Sequence, residues 1–153
     1  MVEGLELLHG YYIEDLQVGM SSSYGRTVTE TDIANFAGVS GDTNPMHLNA
    51  DFAATTRFKQ RIAHGMLSAA YISTLIGTRL PGPGCLYISQ TLRFIAPVRI
   101  GDTVIATATI TAIDPVKRRV KLSTVCKVGA TVVVEGEAET LVESRARHAA
   151  RAG

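Results

Sequence analysis

From Thr103 to Glu139 the side chains change character at every second residue, and this alternation limits the possible folds more than any other feature of the chain. Val104, Ala106, Ala108, Ile110 and Ala112 alternate with Thr103, Ile105, Thr107, Thr109 and Thr111. Val120, Leu122, Thr124, Cys126 and Val128 then alternate with Lys121, Ser123 and Lys127, and Val132, Val134, Gly136 and Ala138 with Glu135, Glu137 and Glu139. Successive side chains of a strand point to opposite faces, so a period of two predicts antiparallel strands with one face buried. Asp114-Pro115 and Gly129-Ala130 supply the turns between them. Tyr87 to Phe94 reads as a further strand.

A different period precedes this region. Between His64 and Leu80, Leu67, Ala70, Tyr71, Thr74 and Leu75 fall on one helical stripe, and Met66, Ala69, Ile72 and Ile76 on another. A helix apolar around most of its circumference should be buried on several sides. Leu80-Pro81-Gly82-Pro83-Gly84 ends it. Ala69, Ala70 and Gly77 suit close approach to a sheet. One long helix of about 64–80 beside a run of antiparallel strands predicts an α+β layer architecture. Further upstream, Thr29-Glu30-Thr31-Asp32 is a capping-box pattern that starts a first helix containing Ile33, Phe36 and Ala37, and a second helix is expected from Pro45 to about Thr55.

Composition excludes several classes of function. With 153 residues, 46% of them hydrophobic and 19% charged, the chain reads as one globular domain with a real core. A formal net charge of +1 gives no electrostatic footprint for nucleic acid. There is no run of about 18 apolar residues for a membrane span and no secretory leader pattern at the start, so a cytoplasmic protein is expected. Cys85 and Cys126 have no metal-ligand spacing and read as small apolar side chains. Arg145, Arg147, His148 and Arg151 make residues 144–153 basic, and a flexible, solvated tail is expected there.

The chemistry-bearing segment runs from Phe36 to His47. It gathers Asp42, Asn44 and His47 around a Gly41-Asp42 turn and Pro45. An acid, an amide and an imidazole this close together are the supply that general acid–base catalysis needs. Pro45 disfavours helical geometry at Asn44, so Asn44-Pro45 reads as N-cap and first helical residue. His47 then lies in the first turn, where the positive end of the helix favours a neutral imidazole. The same residues also make an ordinary turn and helix start, and spacing alone leaves both readings open.

The segment Gly41-Asp42-Thr43-Asn44-Pro45-Met46-His47, followed by Asp51-Phe52-Ala53, resembles the signature of the R-specific enoyl-CoA hydratases in the MaoC-like dehydratase family. The likeness continues through Ala53 to Phe58, Ile62-Ala63-His64-Gly65-Met66-Leu67, Leu80 to Gly84, Phe94-Ile95-Ala96-Pro97-Val98 and Gly101 to Val104. It covers about residues 16–142, and only residues 1–10 and 144–153 fall outside it. The resemblance implies a single hotdog domain, in which the antiparallel sheet wraps around the long helix. It also implies reversible addition of water to a trans-2-enoyl-CoA, giving the (R)-3-hydroxyacyl-CoA, for example to feed polyhydroxyalkanoate synthesis.

By this resemblance Asp42 and His47 hold and activate the water and return a proton to the α-carbon, and Asn44 orients them, besides its reading as a helix cap. Gly65 inherits the oxyanion role, at a helix start where backbone N–H groups lack internal partners. Ser73 aligns with a position lining the acyl pocket, although a helix-interior Ser bonded to its own backbone is an equal alternative. Met66 is a candidate for shaping the acyl tunnel, or ordinary core. His64 reads as structural, and His9 and His148 lie in the unmatched ends. No cofactor is expected beyond the thioester carrier, coenzyme A being part of the substrate, and no metal.

Three other activities fit the same chain: a 3-hydroxyacyl-thioester dehydratase of fatty-acid elongation, a hotdog acyl-CoA thioesterase, and a non-catalytic acyl-CoA sensor. The Asp42/Asn44/His47 set favours hydration, because thioester hydrolysis does not need it. The strand from Cys85 to Leu92 carries no charge before Arg93 and is poorly defended as a free edge. With the family's habit of pairing sheets, this predicts a homodimer or dimer of dimers with Tyr87 to Leu92 near the contact. A helix or terminal segment covering that edge within one chain is the alternative.

Overall fold

The structure is a computed structural model and describes residues 4–152; the side chains of residues 5, 6, 151 and 152 lie outside the description. Five helices and six strands follow two short 3-10 turns at Leu5–Leu8 and Ile13–Asp15. The helices are α1 (Glu30–Ser40), α2 (Pro45–Leu48), α3 (Ala50–Thr55), α4 (Gly65–Thr78) and α5 (Arg145–Ala152). The strands are β1 (Ser21–Thr27), β2 (Leu86–Gln90), β3 (Arg93–Phe94), β4 (Thr103–Asp114), β5 (Arg119–Val128) and β6 (Thr131–Leu141).

The strands form one sheet in the order β1-β4-β5-β6-β2, with β3 also paired to β6, and the pairs are antiparallel. The alternation in sequence becomes the burial pattern: Val104, Ala106, Ala108, Ile110, Val120, Leu122, Cys126, Val134 and Ala138 face the core. It fails where the ladder is irregular. Register shifts between Ile110 and Ala112, and Ala112, expected on the inner face, is exposed. A second shift at Cys126/Lys127 buries Val133 beside Val134. An extra residue in one strand inverts the facing of every residue beyond it, so no pattern of period two can hold across it.

The expected strand from Tyr87 to Phe94 is two pieces, β2 and β3, both paired to β6. Between them Thr91 crosses so close to β6 that a β-carbon at Gly136 would sit 1.8 Å from the Thr91 carbonyl oxygen. Glycine is required there by the approach of another backbone. The strand β1 has no apolar alternation to announce it. It is an edge strand stitched to β4 by hydroxyl pairs: Ser21 with Thr109 at 2.9 Å, Ser23 with Thr107 at 2.8 Å and Thr27 with Thr103 at 2.7 Å.

The helix α4 packs on β1, β4, β5 and β6 through Leu67, Tyr71, Ile72, Leu75 and Ile76. Its burial is one-sided: Gly65, Met66, Ser73, Gly77 and Thr78 are exposed in the single chain. The helix, expected to be covered on several sides, keeps one face open in the single chain.

Helix α1 carries its expected capping box, with Thr29 Oγ1 accepting from the Asp32 N–H at 3.2 Å and Asp32 Oδ2 accepting from the Thr29 N–H at 2.9 Å. Asp32 also pairs with Arg26 of β1, which ties the helix to the sheet edge. The expected helix from Pro45 to Thr55 breaks at Asn49, whose extended backbone ends α2 and whose side chain accepts from the Phe52 N–H at 2.9 Å to start α3.

Residues 145–152, within the segment 144–153 expected as a flexible tail, form a helix; Gly153 lies outside the described residues. Arg145 pairs with Asp15 at 2.6 Å and lies over the Tyr12 ring, and His148 packs edge-on against His9 and Tyr12. The two chain ends therefore hold each other, through contacts separated by about 130 residues in sequence that no local pattern reveals.

Candidate active site

Asp42 and His47 are placed by two successive helix ends. Gly41 closes α1 in the left-handed region at φ 77°, with its N–H bonded to the Ala37 carbonyl, and this turn delivers Asp42 to the surface. The Asn44 N–H donates to Asp42 Oδ1 at 3.2 Å, while Asn44 Oδ1 accepts from the Met46 N–H at 3.0 Å and starts α2. Asn44 is thus a helix cap and, through its backbone, a restraint on the Asp42 carboxylate.

His47 is buried, and its Nδ1 lies 2.8 Å from the Ile62 carbonyl oxygen. A carbonyl can only accept, so Nδ1 carries a proton, and in the neutral ring the lone pair is on Nε2. His64, the N-cap residue of α4, stacks on His47 with ring centroids 3.9 Å apart, and its other side meets Phe36 at 4.9 Å. His64 Nε2 lies 2.9 Å from the Asp42 carbonyl oxygen and by the same logic donates to it. The loop carrying Asp42 is therefore bonded to the start of α4, and the two rings lie between. One nitrogen from each ring and one Asp42 carboxylate oxygen fall within 4.8 Å of one another.

Beside this cluster opens a mainly apolar cavity of about 360 Å³. His47, His64 and Gly65 lie along it with Met46, Met66 and Ser68; Ile95, Ala96 and Pro97 form part of its wall, and Arg57 and Phe58 also border it. Gly65 is the first residue of α4, where no carbonyl of the preceding turn is available to its N–H, and the helix dipole adds partial positive charge. A β-carbon here would come within 2.7 Å of the Phe94 ring. The cavity is thus mainly apolar, with His47, His64 and Gly65 among the residues that line it.

The structure brings together Asp42, His47, Asn44, Gly65 and Met66 of the expected site. It does not bring Ser73 to the cavity. Ser73 lies on the exposed face of α4, and buried Ser68 lines the cavity instead. Five residues apart on a helix, the two point about 140° away from each other. Residue pattern gives no signal for Ser68, Phe94 or Ile95 as cavity residues. Phe94 ends the two-residue strand β3 and Ile95 follows it, a stretch too short for periodicity to be informative.

Comparison with known proteins matches residues 16–136 to the family model described as MaoC like domain. An (R)-specific enoyl-CoA hydratase of Rhodospirillum rubrum is 56% identical, over 88% of this chain and 94% of its own length. A 3-hydroxybutyryl-CoA dehydratase of Methylorubrum extorquens is 50% identical, over 83% of this chain and 81% of its own. Among solved structures, the unliganded R-hydratase PhaJ1 of Pseudomonas aeruginosa superposes with a TM-score of 0.84 at 46% identity, covering 89% of this chain and 88% of that one. The fold and the site together define a MaoC-like hydratase architecture of the hotdog type. The chain belongs to the MaoC-like dehydratase family.

Proposed function

We propose that this protein is an R-specific enoyl-CoA hydratase, adding water reversibly to trans-2-enoyl-CoA to give (R)-3-hydroxyacyl-CoA. The observation that carries the reading is the His47 tautomer. Its Nδ1 is engaged by the Ile62 carbonyl, and the ring lies with a nitrogen within 4.8 Å of an Asp42 carboxylate oxygen, beside a mainly apolar cavity that Gly65 also lines. Naming and likeness of the relatives support the same substrate class.

The chemistry builds on these groups. The enoyl thioester lies along the cavity with its carbonyl oxygen at the Gly65 N–H. A water held by Asp42 and His47 gives up one proton to the pair as its oxygen bonds to the β-carbon. Negative charge moves to the thioester oxygen, where the Gly65 N–H and the α4 dipole stabilise it. The pair then returns a proton to the α-carbon. Water and substrate supply every atom, and no electron is transferred, so the reaction as written needs no redox cofactor. Dehydration is the same path in reverse. Arg57 at the cavity offers a cation for the phosphates of the CoA carrier.

The reading includes a homodimer or a dimer of dimers. Among the described residues the strand β2 pairs with β6 alone and leaves Leu86, Tyr87 and Ile88 exposed. A second copy adding its β2 to this edge would cover it. A cytoplasmic setting belongs to the same proposal, in keeping with Cys85 and Cys126 as free thiols. No helix among the described residues is long and apolar enough to cross a membrane.

The test is loss of the enoyl-thioester absorbance with C4 to C12 enoyl-CoAs, followed by chiral analysis of the product. The R isomer is expected. An S product, or thioester hydrolysis without hydration, would overturn the assignment.

A further inference from the structure

We infer that His64 is a positioning residue: its side chain holds Asp42 and His47 at a fixed place relative to the Gly65 N–H. The kinetic consequence rests on the function proposed above, whereas the restraint rests on geometry alone.

The side chain does not do the usual work of its position. His64 is the N-cap residue of α4, yet it makes no side-chain capping hydrogen bond. Residues favoured at N-caps turn a short polar group onto the first N–H groups of the helix. The His64 ring lies instead against other elements, with only 2% of the residue exposed.

Three contacts define its place. Its Nε2 donates to the Asp42 carbonyl at 2.9 Å. The His47 ring of α2 lies 3.9 Å away at a tilt of 32°, and the Phe36 ring of α1 lies 4.9 Å away. Asp42 is exposed, and its other hydrogen bonds run only to Ser40 and Asn44, each two positions away. Among the described residues, the bond from His64 is therefore the one that ties Asp42 to a distant part of the chain, 22 positions on. His47 is held at Nδ1 by the Ile62 carbonyl and across its face by the His64 ring.

Gly65 follows His64 directly in the chain. One side chain thus links the pair that handles the water to the residue that offers the oxyanion donor. Hydration needs both at once, because the water oxygen bonds to the β-carbon while charge gathers on the thioester oxygen. A misplacement of about 1 Å in such an arrangement can cost about 10²-fold in rate.

The experiment separates the bond from the bulk. His64→Phe keeps an aromatic ring between Phe36 and His47 and removes the donor to Asp42. With crotonyl-CoA it should lower kcat at least about tenfold and leave KM within about twofold. In an Asp42→Asn background the same change should lower kcat by less than about threefold, since a residue acting through Asp42 has little further to lose. Thermal melting is the folding control. If His64→Phe does not fold, His64→Asn, whose amide is too short to reach Asp42, carries the same comparison. In the wild-type chain, long-range proton–nitrogen NMR should show His64 as the Nε2–H tautomer, its signals assigned by their loss in the variant. The Nδ1–H tautomer overturns the restraint. Unchanged kcat in the variant, or equal losses in the two backgrounds, overturns the positioning role. A wild-type chain that hydrates no enoyl thioester overturns the hydratase reading alone, and the tautomer still decides the restraint.

Discussion

Phe94 closes over Gly65 so tightly that a β-carbon at Gly65 would meet the ring at 2.7 Å. The contact joins β3 to the first residue of α4. Gly65→Ala is therefore expected to displace the ring or the helix start and to lower kcat by about 10²-fold or more, as loss of an oxyanion donor does. Shortening the ring in a Gly65→Ala/Phe94→Ala double variant should recover part of the loss. Steady-state kinetics on crotonyl-CoA decide it, and an unimpaired Gly65→Ala enzyme would show that the Phe94 contact does not limit the position of the Gly65 N–H.

Asp42→Asn and His47→Gln should each reduce kcat by at least about 10²-fold with the fold intact, and the double variant should be little worse than the poorer single one. Residues that act on one water as a unit do not contribute independently. Additive losses in the two singles would show that they serve separate steps.

Asp32 predicts the acid limb of stability. The Arg26 guanidinium, with the Thr29 N–H and hydroxyl, holds its carboxyl down at about 2, against an ordinary 3.8. A carboxyl depressed in the folded state stabilises the fold fully above its unfolded pKa. That stabilisation is lost as pH falls from about 4 to about 2. Arg26 is half exposed, so the contribution is at most about 2 kcal/mol. Asp32→Asn should lower Tm by several degrees at pH 7 and flatten its dependence on pH between 4 and 2. Equal pH slopes in the two proteins would assign the acid limb elsewhere.

Light scattering at low micromolar concentration should report at least twice the 16.3 kDa chain mass. Ile88→Lys, which places a charge on the exposed β2 edge, should shift the species toward the monomer. An active wild-type monomer at assay concentration would defeat the dimer and leave the catalytic assignment untouched.

Much was decided locally and could be read from the chain. The alternation from Val104 to Ala138 came from the pleat of a strand. The Thr29/Asp32 cap and the Asn44-Pro45 start came from the orphan donors of a helix. His47 was placed in the first turn of α2 by Pro45. Features that the sequence could not decide depended on contacts far apart in the chain. The register shifts at Ile110/Ala112 and Cys126/Lys127 depend on how neighbouring strands pair, and they reverse the facing of Ala112 and bury Val133. The strand β1 is made of residues with weak strand preference, and β4 recruits them through hydroxyl pairs. His64 looked like a helix-start residue of no chemical consequence. Only folding lays its ring on His47, 17 positions earlier in the sequence, and bonds it to the Asp42 carbonyl. Whether a serine faces the cavity was likewise a matter of helix rotation against the sheet: the packing of Leu67, Tyr71 and Leu75 turns Ser68 inward and leaves Ser73 outside.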